Sequence, residues 1–189
     1  SFRVQGMCII KNPLKVLMTG KNVYTFGYDK NNNITSADEN VAICTKFVPD
    51  ALALLTPVGN KVKLWNILTG EVKKIFSDLS KTDISVLILD SMCKRFFMGD
   101  VDGNVGVYNV TNGALLKSLS KHKAEIIAIT CGSEKGKSSE KAGKIQFIIS
   151  ASIDNCIKVH EDSELGESEL IRTFEISKAN ITSMIFEHN

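Results

Sequence analysis

The chain is 189 residues long, 43% hydrophobic and 23% charged, a composition that is typical of a folded globular protein and excludes a disordered or fibrous one. Its 23 basic and 21 acidic residues are interspersed and leave a formal net charge of +2, which favours neither nucleic acid nor an anionic membrane as a partner. The longest apolar runs are far shorter than the roughly 18 residues that a membrane-spanning helix needs. We therefore expect no nucleic-acid partner and no insertion into a membrane.

Short β-strands are predicted along the whole chain, because β-branched and alternating apolar residues recur between turns rich in Gly, Asn and Asp. Helical periodicity is almost absent, so the predicted fold class is all-β. In chain order, strands are expected at residues 4–10, 15–19, 22–26, 41–47, 84–89, 95–99, 104–109, 115–119, 126–131 and 181–186.

An internal repeat organises these strands. The segments VKLW ending at Trp65, VGVY ending at Tyr108 and IKVH ending at His160 align with one another, and the spacing of the first two falls within the ~40–45 residues of a four-stranded propeller blade. The second interval is longer because of a polar insert at residues 132–144. The predicted segments are residues 1–36, 37–80, 81–121, 122–177 and 178–189, which makes three complete four-stranded blades and two partial ones.

Residues 61–70, KVKLWNILTG, resemble the end of a WD40 repeat, with Asn66 where that family usually has Asp. The resemblance implies a WD40-type β-propeller, and the two partial blades imply that the chain is part of a larger, seven-bladed ring. It also implies structural blade positions that hydrogen-bond within each blade, with Ser150 or Ser152 as the hydroxyl of the third complete unit. These positions are Trp65, Asp102, Tyr108, His122, Asp154 and His160.

The same resemblance implies which loops lie together. In the family, the loop that leads into a blade and the hairpin between its middle strands share one face, which groups residues 101–103, 121–123 and 153–155. The insert at residues 132–144 falls on the opposite face. A propeller of this kind presents its loops to other proteins on a rigid scaffold.

A narrower resemblance concerns residues 96–109, FFMGDVDGNVGVYN, followed by NGALLK at residues 112–117 and by His122. This blade is similar to those of the long WD-repeat proteins of ciliary axonemes. It implies a non-catalytic scaffold for protein–protein interactions in an intracellular, cytoskeletal assembly, with partners among axonemal or microtubule-associated proteins of a multi-subunit complex. A WD-repeat subunit of a coat or transport complex and a ligand-binding or enzymatic propeller remain as alternatives.

Motifs for chemistry are incomplete. The segment at residues 132–138 has three residues between its glycines where a P-loop has four, and Ile34 stands where a calcium-binding loop beginning at Asp29 needs Gly. No GxSxG motif occurs, and the three histidines lack ligands at metal-site spacing. Five single cysteines are interpreted as buried, reduced thiols. We expect no catalytic residue, no metal and no cofactor, and hence no enzyme.

Overall fold

A computed structural model describes residues 6–11, 14–19, 23–27, 35–36, 42–67, 69, 71–135, 144–163, 166–176 and 181–184. Every regular element in these ranges is a β-strand, which confirms the predicted all-β class. The strands form four four-stranded sheets, each made of four strands consecutive in the chain. The chain divides into two compact units, Ser1–Ile84 and Ser85–Asn189.

The first sheet of unit 1 contains one strand more than predicted. Three strands were expected before residue 27, and a fourth follows at Thr35–Ser36, where Tyr24 pairs with Ser36 and Thr25 pairs with Thr35. A strand of two polar residues has no apolar alternation, so sequence patterns could not detect it. The strands are β1 (Gly6–Lys11), β2 (Leu14–Thr19), β3 (Val23–Gly27) and β4 (Thr35–Ser36).

The second sheet of unit 1 has a short first strand. A strand was expected over residues 41–47, but β5 covers only Lys46–Val48, and residues 42–45 are not in a strand. The Pro57 carbonyl accepts the Ile43 N–H at 3.3 Å, so the backbone of Pro57 faces this segment. Because proline has no N–H, it cannot donate a second hydrogen bond to the segment. The strands are β5 (Lys46–Val48), β6 (Ala53–Val58), β7 (Lys61–Asn66) and β8 (Val72–Phe76).

The third sheet, which belongs to unit 2 except for its first residue Ile84, follows the predicted strands most closely. Its β10 is covered on both faces, since every residue from Phe96 to Asp100 is buried. The turn after β10 places Gly103 at φ +84°, a left-handed conformation that favours glycine. The strands are β9 (Ile84–Leu89), β10 (Arg95–Asp100), β11 (Val105–Asn109) and β12 (Leu115–Ser118).

The fourth sheet extends into the predicted polar insert. Pairing between β13 and β14 continues to Lys135 opposite Lys144, so both ends of the 132–144 insert are strand. Within the insert, residues 136–143 are not described. The prediction of a strand at residues 181–186 is wrong for residues 181–184, which are not in a strand. Residues 185 and 186 lie outside the described residues. The strands are β13 (Ile126–Lys135), β14 (Lys144–Ser152), β15 (Cys156–Asp162) and β16 (Glu169–Glu175).

Sheets 3 and 4 pack face to face in unit 2. A Cβ atom on Gly99 of β10 would lie 2.6 Å from the Cβ of Ile126 and 2.9 Å from a methyl group of Val86. Only glycine therefore allows the sheets to come this close. Around this contact lies one apolar core, formed by Phe97, Val105, Val107, Leu119, Ile126, Ile129 and Ile148.

We expect the substitution Gly99→Ala to lower the free energy of unfolding by about 2 kcal/mol, because overpacking a filled core typically costs ~1–3 kcal/mol. Gly166→Ala is the matched control, since a Cβ there would meet only Ser163 Oγ, at 3.6 Å. Urea denaturation followed by circular dichroism measures both. Equal stabilities for the two variants would contradict the packing described for sheets 3 and 4.

Candidate functional site

Three loops meet at one end of sheets 3 and 4 and form a continuous surface, here called the three-loop surface: residues 101–103, 121–123 and 153–155. The carbonyl of Gly103 accepts the backbone N–H of His122 at 2.9 Å. The carboxylate of Asp154 accepts the backbone N–H of Lys123 at 2.8 Å. Loops from three places in the chain are thus joined by direct hydrogen bonds, in the grouping that the resemblance to WD40 repeats implied.

Gly103 fixes the distance between the first two loops. Besides its positive φ, a Cβ at this position would lie 2.6 Å from the carbonyl oxygen of His122 and 2.7 Å from that of Ala124. Backbone atoms cannot move aside as the end of a flexible side chain can. The turn after β10 therefore requires glycine for space as well as for conformation.

The base of the three-loop surface is a buried chain of side chains, Ser150–His122–Asp154. The Nε2 atom of His122 lies 2.8 Å from Ser150 Oγ, and its Nδ1 lies 3.3 Å from Asp154 Oδ2. The carboxylate accepts the Nδ1 proton, so Nε2 of the neutral ring accepts the Ser150 hydroxyl. Of the two serines left open by the sequence, Ser150 contacts the histidine, whereas the Ser152 hydroxyl donates to the Ala124 carbonyl at 2.9 Å.

This chain has the order of a nucleophile, a base and an acid, but its nucleophile is sealed. Ser150 is 0% exposed and His122 is 1% exposed, so no substrate carbonyl can reach the hydroxyl in this arrangement. In the described residues, no group of three or more His, Cys, Asp and Glu side chains could hold a metal ion. The arrangement serves to fix loops, because Asp154 binds three backbone or ring N–H groups at once.

His160 forms a second buried link between sheet 4 and the segment that leads into it. Its Nε2 accepts the backbone N–H of Ser120 at 3.3 Å and lies 2.7 Å from the Ser120 hydroxyl. Because Nε2 is an acceptor, the neutral ring carries its proton on Nδ1, which is buried without a hydrogen-bond partner among the described residues. A second proton would have to enter at Nε2, against a backbone donor.

Both buried histidines are held in the neutral form. Burial, followed by the charges of Lys158 and His122, lowers the pKa of His160 from its usual 6.5 to about 4. Burial also lowers the pKa of His122, although the Asp154 carboxylate opposes this. The pKa of Asp154 is itself lowered: burial would raise it, but the N–H groups of Lys123 and Cys156 that donate to its carboxylate outweigh that effect.

Of the remaining predicted blade positions, Trp65 and Tyr108 lie in strands and not in the three-loop surface. In sheet 2, Trp65 donates its Nε1 proton to Thr56 Oγ1 at 2.7 Å. In sheet 3, the ring of Tyr108 stacks on Phe96 with centroids 5.1 Å apart. Asp102 is exposed in the three-loop surface, whereas the buried Asp100 binds the backbone and side chain of Asn104, each at 2.8 Å. Their roles as blade positions stay predictions.

The strand register nevertheless relates these three sheets. Trp65 pairs with Leu54, Tyr108 with Phe96 and His160 with Ile148. Two residues beyond each of these partners, on the same strand, stand Thr56, Met98 and Ser150. The aromatic position and the hydroxyl position thus recur in the same geometry, although Met98 replaces the hydroxyl in sheet 3.

The opposite end of sheets 3 and 4 is held by an ionic network that sequence spacing did not indicate. Arg95 contacts Asp162 at 2.6 Å, Gln146 at 2.9 Å and Asp90 at 3.3 Å. Lys117 contacts the other oxygen of Asp162 at 2.5 Å. Burial would raise the pKa of Asp162, but these two cations lower it. A cleft of about 470 Å³ opens beside the network, lined also by Met92 and Cys131.

Two other predictions concern cysteines and membranes. Cys44, Cys93, Cys131 and Cys156 are free thiols, but each is half-buried and none is fully buried as expected. Cys44 and Cys93 lie outside the strands, Cys131 lines the cleft, and Cys156 is the first residue of β15. The side chain of Cys8 lies outside the described residues. No helix long and apolar enough to cross a membrane occurs in the part of the chain that the structure describes.

We expect acid to destabilise unit 2 through His160. Between pH 6.5 and about pH 4 the unfolded chain binds a proton at this residue that the folded chain does not, so stability falls as the pH falls. One pKa unit corresponds to about 1.4 kcal/mol, and a loss on the order of 2 kcal/mol is expected. His160→Gln keeps an acceptor for Ser120 but does not titrate, so its loss between pH 7.5 and pH 4.5 should be smaller.

Urea denaturation at both pH values measures this difference. The comparison at pH 7.5 is the internal control, because it reports what the substitution itself does to packing. If the wild type and His160→Gln lost the same free energy on acidification, His160 would not be the titrating group.

No protein-family profile matches this chain. Over 186 residues, 98% of the chain, it is 46% identical to cilia- and flagella-associated protein 337 B of Tetrahymena thermophila, of which it spans 14%. Over 151 residues, 75% of the chain, it is 26% identical to WD repeat-containing protein 18 of Danio rerio, of which it spans 33%. The chain therefore corresponds to a minor part of each relative, and its similarity to the ciliary and flagellar protein extends over nearly all of its own length.

Proposed function

We propose that this chain is part of a WD40-type β-propeller in a longer ciliary protein, where it is a non-catalytic scaffold that binds other proteins. The observation that carries the proposal is the 46% identity to a cilia- and flagella-associated protein across 98% of the chain. Four consecutive four-stranded sheets support it. Each sheet is then one blade of a larger, seven-bladed ring, with sheet 1 a complete blade.

The three-loop surface is the proposed contact for a partner. Val101 and Ile153 stand 43% and 56% exposed at the tips of adjacent turns, and the exposed Lys121 and Lys123 lie between them. Apolar side chains surrounded by charged ones are typical of a protein contact. Because Gly103, His122 and Asp154 fix the backbone beneath, little conformational freedom is lost when a partner binds.

The partners we propose are other proteins of a multi-subunit, axonemal or microtubule-associated assembly, and the proposed location is the cytoskeleton of the cilium. The support for both is the name of the relative with 46% identity. The absence of catalysis is proposed on the burial of the Ser150 hydroxyl, which holds the nucleophile position in the Ser150–His122–Asp154 chain.

We expect the double substitution Val101→Asp and Ile153→Asp to reduce recovery of the partner proteins by about tenfold or more, because a charge in the centre of an apolar contact removes its anchor residues. The native protein that contains this chain is tagged in ciliated cells, purified from isolated cilia and analysed by quantitative mass spectrometry. Met92→Asp is the matched control: Met92 is 62% exposed but lies at the opposite end of the sheets.

Equal loss of partners in the double variant and in Met92→Asp would contradict the three-loop surface as the contact. Recovery of coat or transport components, without tubulin or axonemal proteins, would contradict the ciliary assignment and favour the coat or transport complex. Circular dichroism of each variant establishes that the substitutions leave the fold intact.

A further inference from the structure

Within the part of the chain that the structure describes, the last strand of sheet 4 has a free edge. β16 covers Glu169–Glu175 and pairs only with β15 among the described strands, and all seven of its residues are exposed. The corresponding last strands of sheets 2 and 3 are shorter: β8 has five residues and β12 has four. A long exposed edge presents unpaired backbone donors and acceptors to any chain that arrives in an extended conformation.

The strand register shows which backbone groups are free. Ile176 donates its N–H to the Asn155 carbonyl at 2.8 Å, so the backbone of residue 176 faces β15. Facing residues alternate along an antiparallel strand, and the pairs Ile157 with Phe174 and Val159 with Arg172 continue the alternation. The N–H and C=O groups of Thr173 and Glu175 therefore point outward, away from β15.

The side chains of β16 indicate the chemistry of a partner strand. Glu169 pairs directly with Glu161 of β15, and like charges opposite each other destabilise a sheet. Glu175 adds a second carboxylate at the other end of the strand, with Arg172 as the only cation between them. The apolar side chains of Leu170, Ile171 and Phe174 are 41%, 48% and 45% exposed.

We propose that the outer edge of β16 binds an extended, basic segment of a partner protein, which becomes a fifth strand of sheet 4. The backbone groups of Thr173 and Glu175 supply the hydrogen bonds. Lys or Arg side chains of the partner lie near Glu169 and Glu175, and its β-branched or apolar side chains cover Leu170 and Phe174. The proposal rests on the scaffold function only in taking a protein as the partner.

A second copy of β16 fits this edge less well. An antiparallel pair of two β16 strands centred on Arg172 would place Glu169 of one copy opposite Glu175 of the other, and Arg172 opposite itself. Like charges would then face each other at the centre and at both ends. Charge complementarity favours a basic partner.

The test uses a fluorescently labelled peptide of about seven residues, the length of a typical strand, with alternating Val and Thr and a Lys at each end. Thr173→Pro removes one outward N–H and leaves the bonds to β15 in place, since proline is tolerated on edge strands. Thr173→Val keeps the N–H. Fluorescence anisotropy should show binding weakened about fivefold or more by Thr173→Pro and changed less than about twofold by Thr173→Val.

Two further measurements address charge and folding. A peptide with Glu in place of both Lys residues should bind about tenfold more weakly, and the wild-type affinity should fall as the salt concentration rises. If Thr173→Pro alters the circular dichroism spectrum, the same hydrogen bonds are tested on the wild-type protein with a peptide N-methylated at alternate residues, which should not bind.

Equal affinity of Thr173→Pro and Thr173→Val for the peptide, or of the Lys and Glu peptides for the wild type, would overturn the proposal. So would a concentration-dependent dimer, seen by sedimentation, that Thr173→Pro abolishes, because the edge would then bind a second copy. Val101→Asp with Ile153→Asp should leave the peptide affinity unchanged. Failure of the peptide to bind is thereby separated from failure of the three-loop surface to bind its partners.

Discussion

The close approach of sheets 3 and 4 at Gly99 is the constraint on which the rest of unit 2 depends. With no side chain on Gly99, the Cβ of Ile126 reaches the backbone of β10, and the Ser85 hydroxyl bridges both strands through the carbonyls of Ile126 at 2.5 Å and Gly99 at 3.3 Å. The apolar core closes around this contact. Since the sheets cannot slide apart there, their ends are held in register for the polar contacts on either side.

Those two ends are held by different kinds of contact. At the end that carries the three-loop surface, the contacts are hydrogen bonds of two neutral histidines: His122 with Ser150 and Asp154, and His160 with Ser120. At the other end Arg95 and Lys117 share the buried carboxylate of Asp162. Losing one partner of such an ion pair leaves a buried charge without compensation, which costs more than a neutral hydrogen bond. Removing one partner at the ionic end is therefore expected to cost more stability. The histidine end loses stability at a higher pH, because the unfolded chain already binds a proton at His160 below about pH 6.5.

Local pattern was enough to predict the strands of sheet 3 and the all-β class, because alternation and turn residues are local properties. It was not enough where pairing depends on distant residues. The missing N–H of Pro57 shortens β5, and Gly132 to Lys135 become strand because residues 144–147 lie opposite. In the site, His122 and Asp154 were identified from sequence, but the choice between Ser150 and Ser152 and the link from Arg95 to Asp162 depend on the folded arrangement.

Trp65, Tyr108 and His160 occupy equivalent positions in sheets 2, 3 and 4. They show why the sheets keep their shape although the hydrogen-bonding residues differ. At one register position Trp65 donates to Thr56, Tyr108 stacks on Phe96 and His160 binds Ser120. These contacts differ in chemistry, but each residue is at least 93% buried against its sheet, because Trp65, Tyr108 and His160 are 4%, 7% and 1% exposed. Burial at that position, which scales with the area removed from water, is what the three sheets share. A residue that fills the same space without the tryptophan hydrogen bond therefore keeps the fold.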